Sequence, residues 1–475
     1  MYEFLLLAST GVWAITALVY LQRPCASMFH PLTYYLAFHF LIFVLRPPLV
    51  YFREYNVIYR IYEFQPSIED KVTVLIAANL GLIAFAVMVL RKGSAAFQFK
   101  RTQFDEAQRT LLWKPFMITA AVLFPIAALS LYSDITSKAV DASTMVRDAA
   151  TGIAVNTSGN GYFVDAQMML APLALMFAWL LRFRWWSLMP LLAFIVLRGM
   201  TGGRGVFVLS AVALALLFLY EQRRRWPVPR ILLGLAALVA MFNFVGQDRG
   251  AAIRALVMDD YSEGGRYVAD ELRFLEGMDA GNLEYFEYLV YAIPQRSGTY
   301  GYFLNNLQIL TEPIPRALWP DKPIGAPIQM YKLFDYGYPI GMTNSLPGEG
   351  WAQFGYVGVA MWCGLFGYLW GVAFNSYVKG QQTNFQTITY MFALPISILF
   401  FRDGTILTFA KAGFYLFLPL LILRGMAGLL SIPSAEALAG AALRKRKRQH
   451  AIQTGNSLSG GGRRVPGIGK VLPKR

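Results

Sequence analysis

The stretch VTVLIAANLGLIAFAVMVL, from Val72 to Leu90, carries no charged side chain and is long enough to cross a membrane as a helix. A transmembrane helix needs about 20 mostly apolar residues, and similar stretches recur along the chain. Of the 475 residues, 56% are hydrophobic and only 15% are charged. Because the apolar residues fall in long blocks rather than in amphipathic stripes, the composition indicates a protein that crosses a membrane many times.

Eleven stretches qualify or nearly qualify as spans. The sixth is short and the second is interrupted by Pro47-Pro48, so ten to twelve spans are expected. The sequence therefore predicts an all-α fold, a polytopic bundle of about eleven transmembrane helices in a membrane domain, 1–430, followed by a tail, 431–475. The predicted spans are residues 4–21, 32–52, 72–90, 116–132, 162–181, 185–197, 205–220, 231–246, 354–374, 387–401 and 412–430.

The net charge of +15 is concentrated in short basic clusters between the spans and in the tail. With eleven spans, every cluster falls on the same side as the C-terminus, as the positive-inside rule requires of the cytoplasmic side. The tail is expected to be a disordered cytoplasmic segment attracted to anionic lipids, and nucleic acid is not expected as a partner. The clusters contain Arg91, Lys92, Lys100, Arg101, Arg109, Lys114, Arg182, Arg184, Arg223, Arg224, Arg225, Arg230 and the run from Arg444 to Arg448.

The connection between the eighth and ninth predicted spans, residues 247–353, is long and acidic, and this topology places it outside. Two of its segments, 266–278 and 283–293, carry apolar residues at three- and four-residue spacing with acids between them. This spacing predicts two short amphipathic helices at the membrane interface. We expect one large external helical loop that acts as a lid or a binding surface.

Arg204 lies among glycines in GMTGGRG, residues 199–205, where the seventh predicted span begins. Free amides and the positive end of the helix dipole favour an anion at such a position. Arg204 is therefore a candidate phosphate ligand. The alternative is that its guanidinium extends to the lipid headgroups.

Arg316 and Lys322 lie in EPIPRALWPDKP, residues 312–323, where four prolines restrict the backbone. A stiff segment loses little entropy when it binds a ligand, so the two cations are candidates for holding an anion. The alternative is a surface loop in which Lys322 pairs only with Asp321.

Two further segments offer carboxylates near the ends of spans. Glu349 in LPGEGWAQFG, residues 346–355, could act as a general base on a hydroxyl or could simply stabilise a helix N-terminus. In FRDG, residues 401–404, Arg402 and Asp403 could join an anion site or pair with each other.

The sequence lacks the signatures of common metal and nucleotide sites. It has no GxxxxGK[ST] loop and no HExxH motif, its two cysteines lie far apart, and none of its three histidines falls in a predicted external loop. We therefore expect no metal and no cofactor. External cations without nucleotide-binding elements suggest a lipid-linked phosphate substrate that carries its own chemical energy.

Four motifs in order, GMTGGRG, PRALWPDKP, NSLPGEGWAQFGYVG and FRDG, resemble those of bacterial oligosaccharide repeat unit polymerases, the Wzy-type O-antigen polymerases. The resemblance covers about Arg198 to Gly404. It implies a glycosyltransferase of the bacterial inner membrane, with a periplasmic N-terminus and a cytoplasmic C-terminus. Such an enzyme polymerises undecaprenyl-diphosphate-linked repeat units into O-antigen, capsule or exopolysaccharide. Implied partners are membrane lipids and the flippase and chain-length regulator of the same pathway.

The resemblance also implies roles for the candidate residues. Cations would bind the diphosphate and stabilise its developing charge, and a carboxylate would orient or deprotonate the acceptor hydroxyl. The diphosphate ligands would be Arg204, Arg316, Lys322 and Arg402. The catalytic residues would be Glu349, Asp403 and Arg204. The sugar contacts would be Trp319, Tyr336, Tyr338 and Trp351.

Two alternatives stay open. O-antigen ligases use similar lipid-diphosphate glycans, but their pattern includes an external histidine that this chain lacks. A lipid-linked oligosaccharide flippase or another transporter would carry charges at mid-membrane depth and two similar halves.

Overall fold

The computed structural model describes residues 1–136, 145–147, 154–156, 161–199, 205–234, 236, 275–277, 280–316, 318–339 and 343–459. Almost all regular structure within these ranges is helical. The helices are α1 (Tyr2–Leu21), α2 (Pro31–His39), α3 (Arg46–Phe52), α4 (Val57–Tyr62), α5 (Ile68–Lys92), α6 (Gln103–Leu111), α7 (Trp113–Thr136), α8 (Gly161–Asp165), α9 (Leu170–Leu180), α10 (Met189–Gly199), α11 (Gly205–Glu221), α12 (Asn282–Ala292), α13 (Gln308–Thr311), α14 (Leu346–Lys379), α15 (Asn384–Asp403), α16 (Ile406–Leu429) and α17 (Ala435–Ser459). A short antiparallel pair, β1 (Met145–Arg147) and β2 (Ala154–Asn156), is added to them.

The predicted polytopic helical bundle is confirmed. Within the described ranges, eight helical segments are long and apolar enough to cross a membrane. Two shorter apolar helices, Trp185–Gly199 and Val208–Glu221, match the sixth and seventh predicted spans. The eighth predicted span, 231–246, falls mostly outside the described residues. The chain is a multi-pass membrane protein.

The break predicted at Pro47-Pro48 is wrong. The second span continues from Pro31 to Phe52, because a π-helical stretch, Phe40–Leu45, joins α2 to α3. The prolines occupy the first turn of α3, where their missing N–H groups are tolerated.

Charged side chains lie at both ends of the bundle. At one, the basic end, Arg182 pairs with Glu106 at 2.7 Å, and the Lys100 ammonium donates to the carbonyl of Gly380. At the other, the loop end, the chain between α12 and α14 packs on the helix termini. Arg198 at the end of α10 pairs there with Asp134 of α7.

Helix α12 contradicts the prediction for segment 283–293. Every residue of α12 except Tyr291 is buried, and the helix packs against α5 and α14. The helix therefore lies inside the protein and not at a lipid interface. The prediction was wrong because the two glutamates of α12 are bound by other protein groups and are not exposed to water. The other predicted amphipathic segment, 266–278, lies outside the described residues apart from 275–277.

Both α12 acids have buried partners. The Arg46 guanidinium forms a bidentate pair with Glu284, with Nη2 2.6 Å from Oε1 and Nε 2.9 Å from Oε2. Both side chains are at most 1% exposed. One turn further, Glu287 accepts a hydrogen bond of 2.6 Å from the Tyr59 hydroxyl.

Glu287 gives the fold a predicted pH dependence. Burial raises the pKa of its carboxyl to about 7, and the neighbouring charge of Glu284 adds to this rise. Lys71, the hydrogen bond from Tyr59 and Arg46 each act in the opposite direction. Since the folded protein holds this proton more tightly than the unfolded chain, the added stability is complete below about pH 4.5 and is lost as pH rises through 7. We expect a loss of about 3 kcal/mol.

Thermal unfolding in detergent at pH 5 and pH 8 measures this loss. Glu287→Gln should flatten the difference, whereas Glu69→Gln, at an exposed site in the first turn of α5, should leave it unchanged. An equal pH response in wild type and Glu287→Gln would rule out Glu287 as its source.

The tail also differs from expectation. The predicted disordered segment begins with α17, which packs against α6. The backbone N–H of Ala437 donates to the Ser434 hydroxyl at the start of α17. Alanine, leucine, arginine and lysine, which dominate the sequence that follows, have high helix propensity. Residues 460–475 lie outside the described part of the chain.

Candidate functional site

The start of α14 forms the floor of the candidate site. Ser345 caps the helix by accepting from the Gly348 N–H. The backbone then leaves helical geometry at Phe354 and Gly355, so a short first segment bends sharply against the long remainder. A Cβ on Gly358 would lie 2.1 Å from the carbonyl oxygen of Gly350, so the bend requires glycine there.

Glu349 lies on that short first segment and is completely buried. Its carboxylate accepts from three amides. Oε1 receives Asn305 at 2.9 Å and Gln353 at 2.7 Å, and Oε2 receives Asn344. Asn305 belongs to the long loop, so Glu349 joins the loop to α14. A small pocket of about 20 Å³, room for one water, is lined by both asparagines.

The FRDG segment packs directly on this helix start. Gly404 has φ +75°, and a Cβ on it would lie 2.3 Å from the carbonyl oxygen of Ser345. The Ser345 N–H donates to the carbonyl of Arg402 at 2.8 Å, and the Trp362 indole donates to the carbonyl of Gly404 at 3.0 Å. Two of the four sequence motifs therefore meet in one cluster.

Arg402 and Asp403 do not form the mutual ion pair that the sequence left open. The Nε atom of Arg402 is buried and has no hydrogen-bond partner within the described part of the chain. Asp403 instead bonds with Thr408 on α16. The Arg402 backbone thus lies against the start of α14, and no described carboxylate lies within 4 Å of its guanidinium as an ion-pair partner.

In the segment 312–323, both cationic side chains donate hydrogen bonds to carbonyl groups of the same segment. The Arg316 guanidinium donates to the carbonyl of Lys322 at 2.7 Å. The Lys322 ammonium donates to the carbonyls of Glu312 and Ile314 and lies 3.7 Å from the Glu312 carboxylate. The alternative pairing with Asp321 is therefore not what the structure shows.

Burial and charge perturb both titrating groups in this segment. Partial burial lowers the pKa of the Lys322 ammonium; Glu312 opposes that shift, and Arg316 adds to it. The pKa of the Glu312 carboxyl is lowered: burial alone would raise it, but the nearby positive charges of Lys411 and Lys322 have the larger effect. Arg316 and Lys322 are therefore close enough to affect each other electrostatically.

Lys411 on α16 connects this segment to the bundle. Its ammonium lies 3.0 Å from Glu312 and 3.8 Å from Asp165. Asp165 also lies in the electrostatic field of Arg198, which ends α10. Arg204 itself lies outside the described residues, whereas its neighbour Gly205 lies beside Leu399 of α15.

The four predicted sugar platforms differ in accessibility. Trp351 is 6% exposed and its indole donates to the carbonyl of Ile293, so its ring faces are covered in this conformation. Tyr338 is 37% exposed, while Trp319 and Tyr336 are half-buried.

Sequence reasoning missed several residues of the cluster. Asn305, Asn344 and Gln353 supply the amides around Glu349, and Asn282 donates to the carbonyls of Thr343 and Arg402. Only Gln353, four residues after Glu349 on one helix, carries a local signal. Within the described ranges, no group of three or more His, Cys, Asp or Glu residues could hold a metal.

The fold and this cluster define a multi-pass helical membrane protein with a buried polar cluster around Glu349 at the loop end. No protein-family model matches the chain, and no match was found among curated proteins or solved structures.

Proposed function

We propose that this protein is a Wzy-type polymerase that joins undecaprenyl-diphosphate-linked repeat units at the periplasmic face of a bacterial inner membrane. The observation that carries the proposal is the contact between NSLPGEG and FRDG around Glu349. These motifs are far apart in the sequence, yet the Ser345 N–H donates to the carbonyl of Arg402. The Glu349 carboxylate in turn accepts a hydrogen bond from the Asn305 side chain of the long loop.

The charge distribution supports the proposed orientation. Described basic clusters gather at the basic end, where Arg182 pairs with Glu106 and Arg225 donates to the carbonyl of Phe97. The positive-inside rule assigns such an end to the cytoplasm. In that orientation the Glu349 cluster lies on the periplasmic side, where lipid-linked repeat units are joined.

In the proposed reaction, the acceptor hydroxyl oxygen attacks the anomeric carbon of the donor glycan. The bond from that carbon to the diphosphate breaks, and undecaprenyl diphosphate leaves with the bonding electrons. Arg402, whose charge has no paired carboxylate in the described structure, would stabilise that leaving group with Arg204. Arg316 and Lys322 would contribute if their segment opens toward the diphosphate.

The hydroxyl proton requires an acceptor. Glu349 and Asp403 are the candidates, and each is enclosed: Glu349 by three amides and Asp403 by Thr408. Asn305 is the one amide of the three that is distant from Glu349 in the sequence, and its withdrawal would free one acceptor position on Oε1, which Gln353 also contacts. A base at this position would then be within reach of a sugar hydroxyl.

Deletion of the gene tests the proposal. The surface glycan should change from a ladder to a single repeat unit, and wild-type protein should restore the ladder. Arg204→Ala and Arg402→Ala should reduce polymerisation by at least about 100-fold at normal protein level, because charge stabilisation of a leaving group contributes about 3 kcal/mol. Arg230→Ala, an exposed arginine at the basic end, is the matched control. An unchanged ladder after deletion would exclude the function.

A further inference from the structure

An apolar groove of about 420 Å³ runs between α1 and α5 on the outer surface of the bundle. Its lining includes Ile15 and Val87, which are 64% and 56% exposed, and the small, buried side chain of Ala86. Between the ends of the groove, the one polar lining residue is Thr16, whose hydroxyl donates to the carbonyl of Val12 within α1. The groove is therefore open to the hydrocarbon interior of a membrane.

Two arginines, Arg23 and Arg91, are the charged members of the groove lining. The Asn79 amide of α5 donates to the Ser9 hydroxyl of α1 at 2.7 Å, and the groove-lining stretches, 15–23 and 83–91, both follow these residues in the sequence. The two helices therefore run in the same direction. Because the two stretches have the same length, their arginines end the groove at the same level.

The arginine end of the groove is the basic end of the bundle. Shortly after Arg23, the N–H of Met28 donates to the carbonyl of Arg225 at 2.9 Å. The Arg225 guanidinium donates in turn to the carbonyl of Phe97, in the chain that follows Arg91 and the end of α5. The positive-inside rule assigns this end to the cytoplasmic leaflet of a membrane.

The two guanidinium groups are available to an anion from outside the chain. Both side chains are exposed, and neither forms an ion pair with an acid in the described part of the chain. By contrast, Arg101 and Arg182 at the same end both pair with Glu106. A groove that is apolar along its length and cationic at its end complements the acyl chain and the anionic headgroup of a phospholipid.

A second groove along α5 provides a comparison. It has a volume of about 720 Å³, lies between α5 and α14, and shares Ile83 and Val87 with the first groove. Among the described residues, its lining contains no charged side chain. An acyl chain with any headgroup would fit the second groove equally well, so only the first groove is expected to select a lipid by its charge.

The length of the groove fits one leaflet. It extends along α5 from Ile83 to Arg91, about 12 Å at the rise of an α-helix. One leaflet contributes about 15 Å, half of the hydrocarbon core of a typical bilayer. A phosphate at the arginines would therefore place most of one acyl chain of the same lipid inside the groove.

We propose that the groove between α1 and α5 binds an anionic phospholipid, with one acyl chain in the groove and the phosphate on Arg23 and Arg91. The bound lipid joins α1 to α5. This contact matters most for α1, because only 17% of its span is buried, the smallest share among the eight candidate spans in the described ranges. The site is independent of the proposed enzymatic function, since none of its lining residues belongs to the Glu349 cluster.

Native mass spectrometry of the full-length protein in detergent tests the proposal. Phosphatidylglycerol and phosphatidylethanolamine with identical acyl chains are titrated separately, and the first lipid adduct is quantified. Phosphatidylglycerol should bind at least about tenfold more tightly, since each arginine near an anionic headgroup contributes about a fivefold gain in affinity. Equal binding of the two lipids would overturn the proposal, and this comparison needs no variant protein.

Arginine variants locate the headgroup. Arg23→Ala combined with Arg91→Ala should reduce the preference for phosphatidylglycerol to less than about threefold. Arg184→Ala, which removes another exposed arginine of the basic end, should leave the preference unchanged. A preference that survives the double substitution, or that falls equally in Arg184→Ala, would overturn the assignment of the phosphate to this groove.

Groove-filling variants locate the acyl chain. Thr16→Trp places a large ring in the groove and should weaken phosphatidylglycerol binding about tenfold, because fewer methylene groups of the lipid are then buried. Ala360→Trp, in the second groove, should leave the preference for phosphatidylglycerol unchanged. If Thr16→Trp binds phosphatidylglycerol as tightly as the wild type, the acyl chain does not lie between α1 and α5.

Discussion

Arg46→Ala should destabilise the protein by about 3 to 5 kcal/mol, the usual cost of leaving a buried charge without its partner. Glu284 would keep its carboxylate inside the protein at 1% exposure with no guanidinium to receive it. The carbonyl of Leu275, a second acceptor for Arg46, would lose its donor as well. Because Glu284 lies on α12, the long loop should lose its attachment to the second span.

Thermal unfolding and limited proteolysis in detergent measure the two effects. Replacing both partners, Arg46→Met with Glu284→Met, should recover most of the stability, since an apolar pair has no charge to desolvate. The matched control is Arg182→Ala, which removes an ion pair whose arginine is 64% exposed and should cost less than about 1 kcal/mol. If the double variant is as unstable as Arg46→Ala, the loss is not caused by an unpaired charge.

Glu349→Ala should loosen the segment 300–307 on α14 around Asn305, while the backbone hydrogen bonds from Gly301 to Ala352 and from Tyr302 to Gln353 remain. Removal of the carboxylate leaves the amides of Asn305, Asn344 and Gln353 without their acceptor, and each buried orphan group costs about 1 to 3 kcal/mol. Hydrogen exchange in this segment should accelerate at least about tenfold. Glu69→Ala, in the first turn of α5 but exposed, is the control.

Glu349→Gln separates a structural role from a catalytic one. A glutamine oxygen can still accept from Asn305 and Gln353, and a flipped Asn344 amide can accept from the new N–H group. Protection of 300–307 should therefore stay near the wild-type level. Loss of polymerisation in this protected variant indicates a proton acceptor, whereas an active Glu349→Gln protein leaves Glu349 with the structural role only.

Hydropathy predicted the bundle because a span is a local property of about 20 residues. It failed for α12, since the partner of Glu284 is 238 residues away in the sequence. When the pairing with Arg46 is not known, two acids among apolar residues indicate a helix with one face exposed to solvent. The same limit applies to Asn305, which lies 44 residues before the glutamate that it binds.

Local sequence also failed to predict which partner a side chain binds when several partners are near. Lys322 has Asp321 beside it, yet it bonds to the carbonyl of Glu312, ten residues earlier. The four prolines turn the segment back on itself and bring Glu312 closer than sequence spacing suggests. The stiffness of 312–323 could thus be predicted, but not which groups its cations contact.

The contact between Gly404 and Ser345 has a mechanical consequence. A Cβ at 404 would meet both the Ser345 carbonyl and the Glu349 side chain, so the two segments have no free space between them. Since close-packed contacts transmit displacement, the end of α15 and the start of α14 should move as one rigid body. The strip of chain that carries Asn305 covers Glu349 from the other side, and the backbone hydrogen bonds from Gly301 to Ala352 and from Tyr302 to Gln353 tie that strip to the same rigid body.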